Sequence, residues 1–178
     1  MKRINISLSK AGSIDRAIQT LKTYQNDLHR KSAAFVWKLA EYGIEAGKLG
    51  GGEWSRFIAF SRTIKSRPDG AEGKIIAVGD KLPGLRHGEV IYADALLLAE
   101  FGSGWNAEVR ESVPVAGAGQ GTFPGQEHAG DPRGWYYWDA DNQQWVHTYG
   151  ESPTFPMHYA MLEMMSVVER VAKEVFQS

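Results

Sequence analysis

The sequence predicts an α+β fold, in which a long N-terminal helix and a C-terminal helix are packed on a small antiparallel sheet. Apolar residues recur at helical spacing near both ends of the chain. Short segments rich in β-branched and aromatic residues, separated by turns, lie between them. The 178 residues fit one domain, so residues 1–178 are assigned to a single unit.

The first helix is predicted over residues 13–49, because no proline interrupts this stretch and glycines follow it at 50–52. A helix of this length would extend ~50 Å, whereas a domain of this size is only ~30 Å across. Either the helix bends near Gln25–Ser32 and buries its apolar stripe within the chain, or part of the stripe packs on another subunit. The stripe consists of Ile14, Ile18, Leu21, Leu28, Phe35, Leu39, Tyr42, Ala46 and Leu49.

Three strands are predicted at about 54–65, 74–79 and 89–93, where aromatic and β-branched residues mix with polar ones. The segment "RPDG" at 67–70 predicts a turn between the first two strands, because proline pre-sets φ and glycine accepts a positive φ. A Pro-Gly pair at 83–84 leads to the third strand.

Residues 94–102 indicate a short buried helix or turn, with Asp94 as its N-cap and Gly102 as its stop. Residues 102–133 lack any helical or strand period and are predicted to form a long loop rich in glycine and proline. A loop of this length inside a compact domain is typically functional or disordered, and we expect it to be mobile until a partner orders it.

An aromatic hairpin is predicted over residues 134–149, "GWYYWDADNQQWVHTY". Centring its turn on Asp141 and Asn142 places Trp138 opposite Trp145, although a slip of one residue gives other partners. In an alternating strand Trp135 and Tyr137 point one way, and Tyr136 and Trp138 point the other. We expect one set to cover the core beneath the last helix and the other set to meet a partner.

The last helix is predicted over residues 157–176 and is expected to pack on the sheet. "ESPTFP" at 151–156 delays its start. Its apolar stripe is predicted to be core, with methionines serving as adaptable packing side chains. The stripe consists of Met157, Met161, Met164, Met165, Val168, Val171, Ala172 and Val175.

Composition and charge exclude several classes of protein. The chain has no cysteine, which excludes disulfides and a thiolate nucleophile, and its start predicts no signal peptide. No apolar run is long enough to cross a membrane, and the net charge of −1 does not suit general nucleic-acid binding. Residues 1–49 carry nine Lys or Arg against four Asp or Glu, and residues 50–178 carry eleven against seventeen. This asymmetry is either a solvated helix face arising by chance or a basic end that meets the acidic end of a neighbouring copy.

No enzyme signature is present, so we predict no catalytic residue, no cofactor and no metal. The glycines at 117–125 do not form GxGxxG, and Phe101 breaks the GxSxG pattern around Ser103. The five histidines show no HExxH spacing. A carbohydrate-binding module is an alternative function, because "GWYYWDADNQQWV" looks like one unit of the hairpin repeats that bind cell-wall choline.

Two segments resemble a family of bacteriophage tail components. "ALLLAEFGSG" (95–104) is similar to that family's "YAxYVEFGTG" segment, and "SPTFPMHYA" (152–160) is similar to its "PxPFMxPA" segment. The family is the lambdoid gene-product-ten group of neck or tail-completion proteins. The resemblance implies a structural virion protein, assembled in the bacterial cytoplasm as a ring between head-closure proteins and the tail terminator or tail tube.

The resemblance also implies which residues are structural, whereas the residues that meet partners follow from the strand alternation and the charge asymmetry. Its motif residues are Glu100, Phe101, Gly102, Pro153, Phe155 and Met157, with Phe101 in the core, Gly102 as a permissive backbone position and Glu100 in a fixed contact. Leu98, Ala99 and Pro156 depart from the family pattern. Contacts with other copies or with neck proteins are predicted for Trp135, Tyr137, Trp138, Trp145, Lys22, Lys31 and Lys38.

Overall fold

The computed structural model describes residues 12–86, 89–106, 131–139 and 142–177, and it has the predicted α+β fold. Three α-helices and six strands are assigned in this part of the chain. In chain order they are α1 (Ser13–Gly50), β1 (Ile58–Arg67), β2 (Gly70–Gly79), β3 (Lys81–Arg86), β4 (Glu89–Asp94), α2 (Ala95–Phe101), β5 (Trp135–Asp139), β6 (Gln144–Thr148) and α3 (Pro156–Gln177).

Helix α1 lies between the β1–β2 hairpin and α3. Gly43 marks this arrangement, because a Cβ atom placed there would lie 2.6 Å from Cδ1 of Ile75 in β2 and 2.9 Å from Cγ of Met164 in α3. The main apolar cluster of the described residues lies between the two long helices. It consists of Val167, Val171 and Val175 of α3, with Phe35, Leu39 and Tyr42 of α1 packed against them.

The prediction that the last helix packs on the sheet is wrong, because α3 packs mainly against α1. The predicted stripe on α3 is correct only in part: Val171 and Val175 are buried, but Met161 and Met165 are exposed, and the buried Ala160 and Val167 lie outside it. Residues of both sets recur at helical spacing, so periodicity alone does not distinguish them. The face of α3 that packs on α1 combines buried valines with Met164, which lies against Gly43 of α1.

Helix α1 runs through the whole predicted segment and ends one residue later. Its 38 residues correspond to ~57 Å. Helix α3 runs antiparallel beside its C-terminal part only, from Tyr159 against Gly50 to Phe176 against Phe35. The interpretation that the whole stripe is buried within the chain is therefore wrong. Its N-terminal residues Ile14, Ile18, Leu21 and Leu28 are exposed.

The described strands form three separate two-stranded antiparallel sheets rather than one small sheet. Strand β1 begins at Ile58 instead of 54, because Gly52–Phe57 forms a 3₁₀ helix that carries both Trp54 and Phe57. Strand β2 includes 74–79 but begins already at Gly70, the last residue of the predicted turn. Strand β3 was not predicted.

The Pro-Gly pair inside β3 is the reason that this strand was missed. Pro83 is paired with Tyr92, and Gly84 with Ile91, in the antiparallel ladder with β4. Proline is tolerated at a strand edge that needs no donor, so a two-stranded ladder can contain it. The predicted strand 89–93 is confirmed as β4 and ends one residue later, at Asp94.

Two local predictions are confirmed by hydrogen bonding and register. The Asp94 side chain caps α2 by accepting hydrogen bonds from the amides of Leu96 and Leu97, and Gly102 ends the helix with a φ of 70°. In the aromatic hairpin, Trp138 is directly opposite Trp145.

The predicted loop over 102–133 is only partly described. Its first residues are ordered against the chain, since Gly104–Asn106 forms a 3₁₀ turn and Ser103 is buried. The predicted mobility concerns residues 103–130, of which 107–130 lie outside the described residues. None of the described helices combines the length and the apolar character that crossing a membrane requires.

Candidate partner-binding surfaces

The two segments that resemble the phage family are adjacent in space although about 50 residues separate them. The carbonyl of Ala99, in the last turn of α2, accepts hydrogen bonds from the amides of Thr154 at 2.7 Å and Phe155 at 3.0 Å. The amide of Ser103 donates to the carbonyl of Glu151 at 2.8 Å, and the Ser103 hydroxyl accepts from the Glu151 amide at 2.9 Å. These contacts join the end of α2 to the segment that leads into α3, and we call this region the motif junction.

Glu100 makes the fixed contact that was predicted for it. Its Oε2 atom accepts a hydrogen bond from the amide of Met157 at 2.8 Å. Met157 is the second residue of α3, after the buried Pro156, so its amide has no partner within the helix. Phe155 enters the helix with a φ of 56°, an unusual value for a residue with a side chain.

Gly102 is required at the motif junction for two independent reasons. Its φ of 70° lies in the left-handed region, and a Cβ atom would collide with the carbonyl oxygen of Glu151 and lie 2.9 Å from Cδ of Pro153. Phe101 and Pro153 are half-buried, so the prediction that Phe101 is a core residue holds only in part.

The β5–β6 hairpin has one face made almost entirely of aromatic rings, which we call the aromatic face. The Trp138 and Trp145 rings pack edge to face with centroids 5.6 Å apart, and the Tyr136 and His147 rings lie 4.7 Å apart. Tyr136 and Trp145 are each 66% exposed, and Trp138 is 50% exposed. Large aromatic side chains on a rigid pair of strands are the kind of surface that partners bind.

The opposite face of the hairpin is the one that contacts the rest of the chain. Trp135 is half-buried, and its ring is so close to Gly104 that no Cβ would fit there. Tyr137, on the same face, is 46% exposed. The four predicted aromatic interface residues therefore divide between two faces. Trp135 packs on the segment after α2, so the expectation that this set lies beneath the last helix is wrong.

The three predicted interface lysines lie in different surroundings. Lys38 makes an ion pair and hydrogen bond with Glu174 of α3 and so links the two long helices. Lys31 lies 3.9 Å from Asp27, whose pKa is lowered mainly by its hydrogen bond with Arg30. Lys22 is exposed and has no ion-pair partner among the described residues.

The N-terminal half of α1 carries a surface that the lysines only flank. Ile14, Ile18, Leu21, Tyr24 and Leu28 lie on one helix face, and we call them the exposed stripe. Their exposed fractions range from 41% for Leu28 to 66% for Tyr24. Tyr24 was missed, although it completes the steps of three and four between Leu21 and Leu28.

Neither the chemistry of the described residues nor comparison with known proteins identifies an activity. In the described ranges, no group of three His, Asp or Glu side chains is placed to hold a metal ion. Asp131 forms a salt bridge with Arg133, with 2.8 Å between the carboxylate oxygen and the guanidinium nitrogen. No protein-family model and no curated protein matches the sequence, and no solved structure matches the fold.

Proposed function

We propose that this chain is a structural protein of the phage head–tail junction, a neck or tail-completion protein. Several copies form a ring between the head-closure proteins and the tail terminator or tail tube. In this proposal the protein functions in the virion, after assembly in the bacterial cytoplasm, and it catalyses no reaction.

The observation that carries the proposal is the motif junction. The segments 95–104 and 152–160 were the two that resembled the family, and nothing in the resemblance required them to touch. In the structure Ala99 bonds Thr154 and Phe155, and Glu100 bonds Met157. The two segments that carry the resemblance therefore form one hydrogen-bonded unit in this chain, which supports considering them together rather than as two separate short motifs.

Two exposed apolar surfaces also support a role in assembly. The exposed stripe of α1 and the aromatic face of the hairpin both carry large side chains that are 41% exposed or more. Contiguous exposed apolar patches usually mark sites of protein–protein contact. A ring component that also contacts proteins above and below it needs several such surfaces.

Binding of cell-wall glycan is a second candidate function, favoured by the exposure of Trp138 and Trp145 on one face of the hairpin. The apolar face of a sugar ring can stack on an exposed aromatic side chain. The related choline-binding repeats work in tandem, whereas the sequence of this chain contains one such unit.

Deleting the coding sequence from a phage or prophage that carries it tests the leading proposal. We expect filled heads and finished tails that remain unjoined in electron micrographs, and infectivity restored by the wild-type chain supplied in trans. Joined, infectious particles made without the protein would refute the proposal. Micromolar binding of choline or cell-wall fragments to the purified protein would instead favour the second candidate.

A further inference from the structure

We infer that copies of this chain associate head to tail, with the exposed stripe of α1 in one copy docked on the aromatic face of the β5–β6 hairpin in the next. The inference rests on the proposed function, because that function requires contacts between copies. It adds which two surfaces meet.

The exposed stripe continues an interface that already exists within the chain. The same face of α1 carries Phe35, Leu39 and Tyr42, which pack against the valines of α3. Helix α3 ends at Gln177. Beside this end, the ring centroids of Phe176 and Phe35 lie 5.9 Å apart. Towards the N-terminus the apolar face of α1 goes on for about four more turns, where its side chains stay exposed in the described part of the chain.

The chain does not cover its own stripe with its own hairpin. The hairpin is linked to the C-terminal end of α1. The hydroxyl of Thr154 contacts the carbonyl of Gly51, and Thr154 is only nine positions after Trp145 in the chain. Nine extended residues span at most ~31 Å, whereas Leu21 lies ~45 Å from Gly51 along the helix. Leu21 is 55% exposed and Trp145 is 66% exposed, so the described residues leave both side chains accessible to a partner.

The charges around the two surfaces are opposite. Residues 13–34, which include the stripe, carry four Lys or Arg against two Asp, a net charge of +2. Residues 134–151, which include the hairpin, carry three Asp or Glu and no Lys or Arg, a net charge of −3. Two stripes would repel one another and two hairpins would do the same, whereas a stripe facing a hairpin is favoured.

A contact between two different surfaces is heterologous, so an open chain of copies keeps one free stripe at one end and one free hairpin at the other until a ring closes. This geometry allows the number of copies to be set by the angle of the contact. The symmetrical arrangement, stripe against stripe, would stop at a dimer.

Cross-linking distinguishes these arrangements, and the chain helps because it has no cysteine of its own. Gln25 is exposed and lies four residues after Leu21 and three before Leu28, so Gln25→Cys places a thiol on the stripe. Asn142→Cys places one in the exposed turn of the hairpin. Thr23→Cys, on the opposite side of α1, is the matched control.

We expect a short bis-maleimide to join Q25C to N142C when the two purified variants are mixed, at concentrations raised stepwise to about 1 mM. Neither variant alone should cross-link, and T23C should join N142C far less. Adding Trp145→Ala to the N142C chain should weaken the association by about 30-fold, since it truncates one of the most exposed aromatic anchors of this face.

Cross-linking of Q25C to itself would show a symmetrical dimer and overturn the inference. Absence of the mixed product at every concentration, or equal yields with T23C, would overturn it as well. These outcomes are separate from failure of the proposed function. Phage particles that join without the protein would refute the function while leaving a mixed cross-link intact.

Discussion

Glu100 in α2 accepts a hydrogen bond from the backbone N–H of Met157, with 2.8 Å between Oε2 and N. The first amides of a helix have no carbonyl partner within it, and a carboxylate at that end also interacts favourably with the helix dipole. Here the carboxylate comes from another helix, 57 residues earlier in the chain. The contact therefore fixes where α3 starts relative to α2.

Glu100→Ala is expected to lower the free energy of unfolding by about 1 kcal/mol, the usual effect of removing a helix cap. Glu100→Gln should cost less, because its amide oxygen can still accept the hydrogen bond. Urea unfolding measures both. Glu169→Ala, on the exposed side of α3, is the control and should change little; equal losses at 100 and 169 would show that the cap contributes nothing.

Gly102→Ala is expected to cost about 3 kcal/mol or more, because strain at a positive φ adds to a collision with the Glu151 carbonyl. Gly52 is the matched control: its φ is 54°, but a Cβ there would meet nothing within 4 Å. Gly52→Ala should therefore cost only about 1 kcal/mol, from backbone strain. Thermal or urea unfolding of the two variants compares these costs. Similar losses would mean that crowding at the motif junction is unimportant.

Features set by local chemistry were predictable from the sequence. The glycines after residue 49 end α1, Asp94 caps α2, and the spacing across the turn sets Trp138 opposite Trp145. Features decided by distant packing were not predictable. Gly52–Phe57 has a strand-like composition yet forms a 3₁₀ helix, and the buried face of α3 depends on its packing against α1.

The candidate surfaces show the same division. Alternation along β5 correctly separates Trp135 from Trp138, but only the contact of Trp135 with Gly104 shows which face belongs to the chain. The three lysines look equivalent in the sequence. Lys38 differs from Lys22 because Glu174, 136 residues later, lies beside it.

Charge reversal at Lys38 and at Lys22 is expected to have different effects. Lys38→Glu should destabilise the fold modestly, and Glu174→Lys in the same chain should restore part of the loss, with a coupling energy of about 0.5 kcal/mol. Lys22→Glu should leave stability unchanged and weaken self-association by roughly threefold at low salt, with a smaller effect at high salt. Urea unfolding and sedimentation measure the two effects. Loss of stability in Lys22→Glu would contradict its assignment to a partner surface.

The contribution of the β1–β2 hairpin to the stability of the fold should depend on pH through the carboxylate of Glu72. Hydrogen bonds from Arg67 and then Lys74 lower the pKa of Glu72 below its ordinary value of 4.5. A carboxyl group with a lowered pKa stabilises the fold above its unfolded pKa, and this contribution is lost as the pH falls through the folded pKa. Glu72→Gln should therefore have a lower urea midpoint than the wild type at pH 7, with the difference closing below about pH 4. A difference that persists in acid would exclude this ion pair as its cause.

Substitutions on the two faces of the aromatic hairpin should affect folding and assembly differently. Trp135 is half-buried against Gly104, so Trp135→Ala is expected to cost roughly 2 kcal/mol of stability, less than the loss for a fully buried ring. Trp145 is 66% exposed, so Trp145→Ala should remove only the pairing with Trp138, at most about 1 kcal/mol.

Self-association should show the opposite order. Trp145→Ala is expected to weaken it by about 30-fold and to impair head–tail joining, because the ring is a large, exposed aromatic anchor on the aromatic face. Tyr137→Ala, on the other face of the same hairpin and 46% exposed, is the matched control and should associate normally. Sedimentation of the three purified variants, with urea unfolding of each, separates the two effects. If Tyr137→Ala failed to associate while Trp145→Ala behaved as wild type, the partner would bind the face that carries Trp135 and Tyr137 instead.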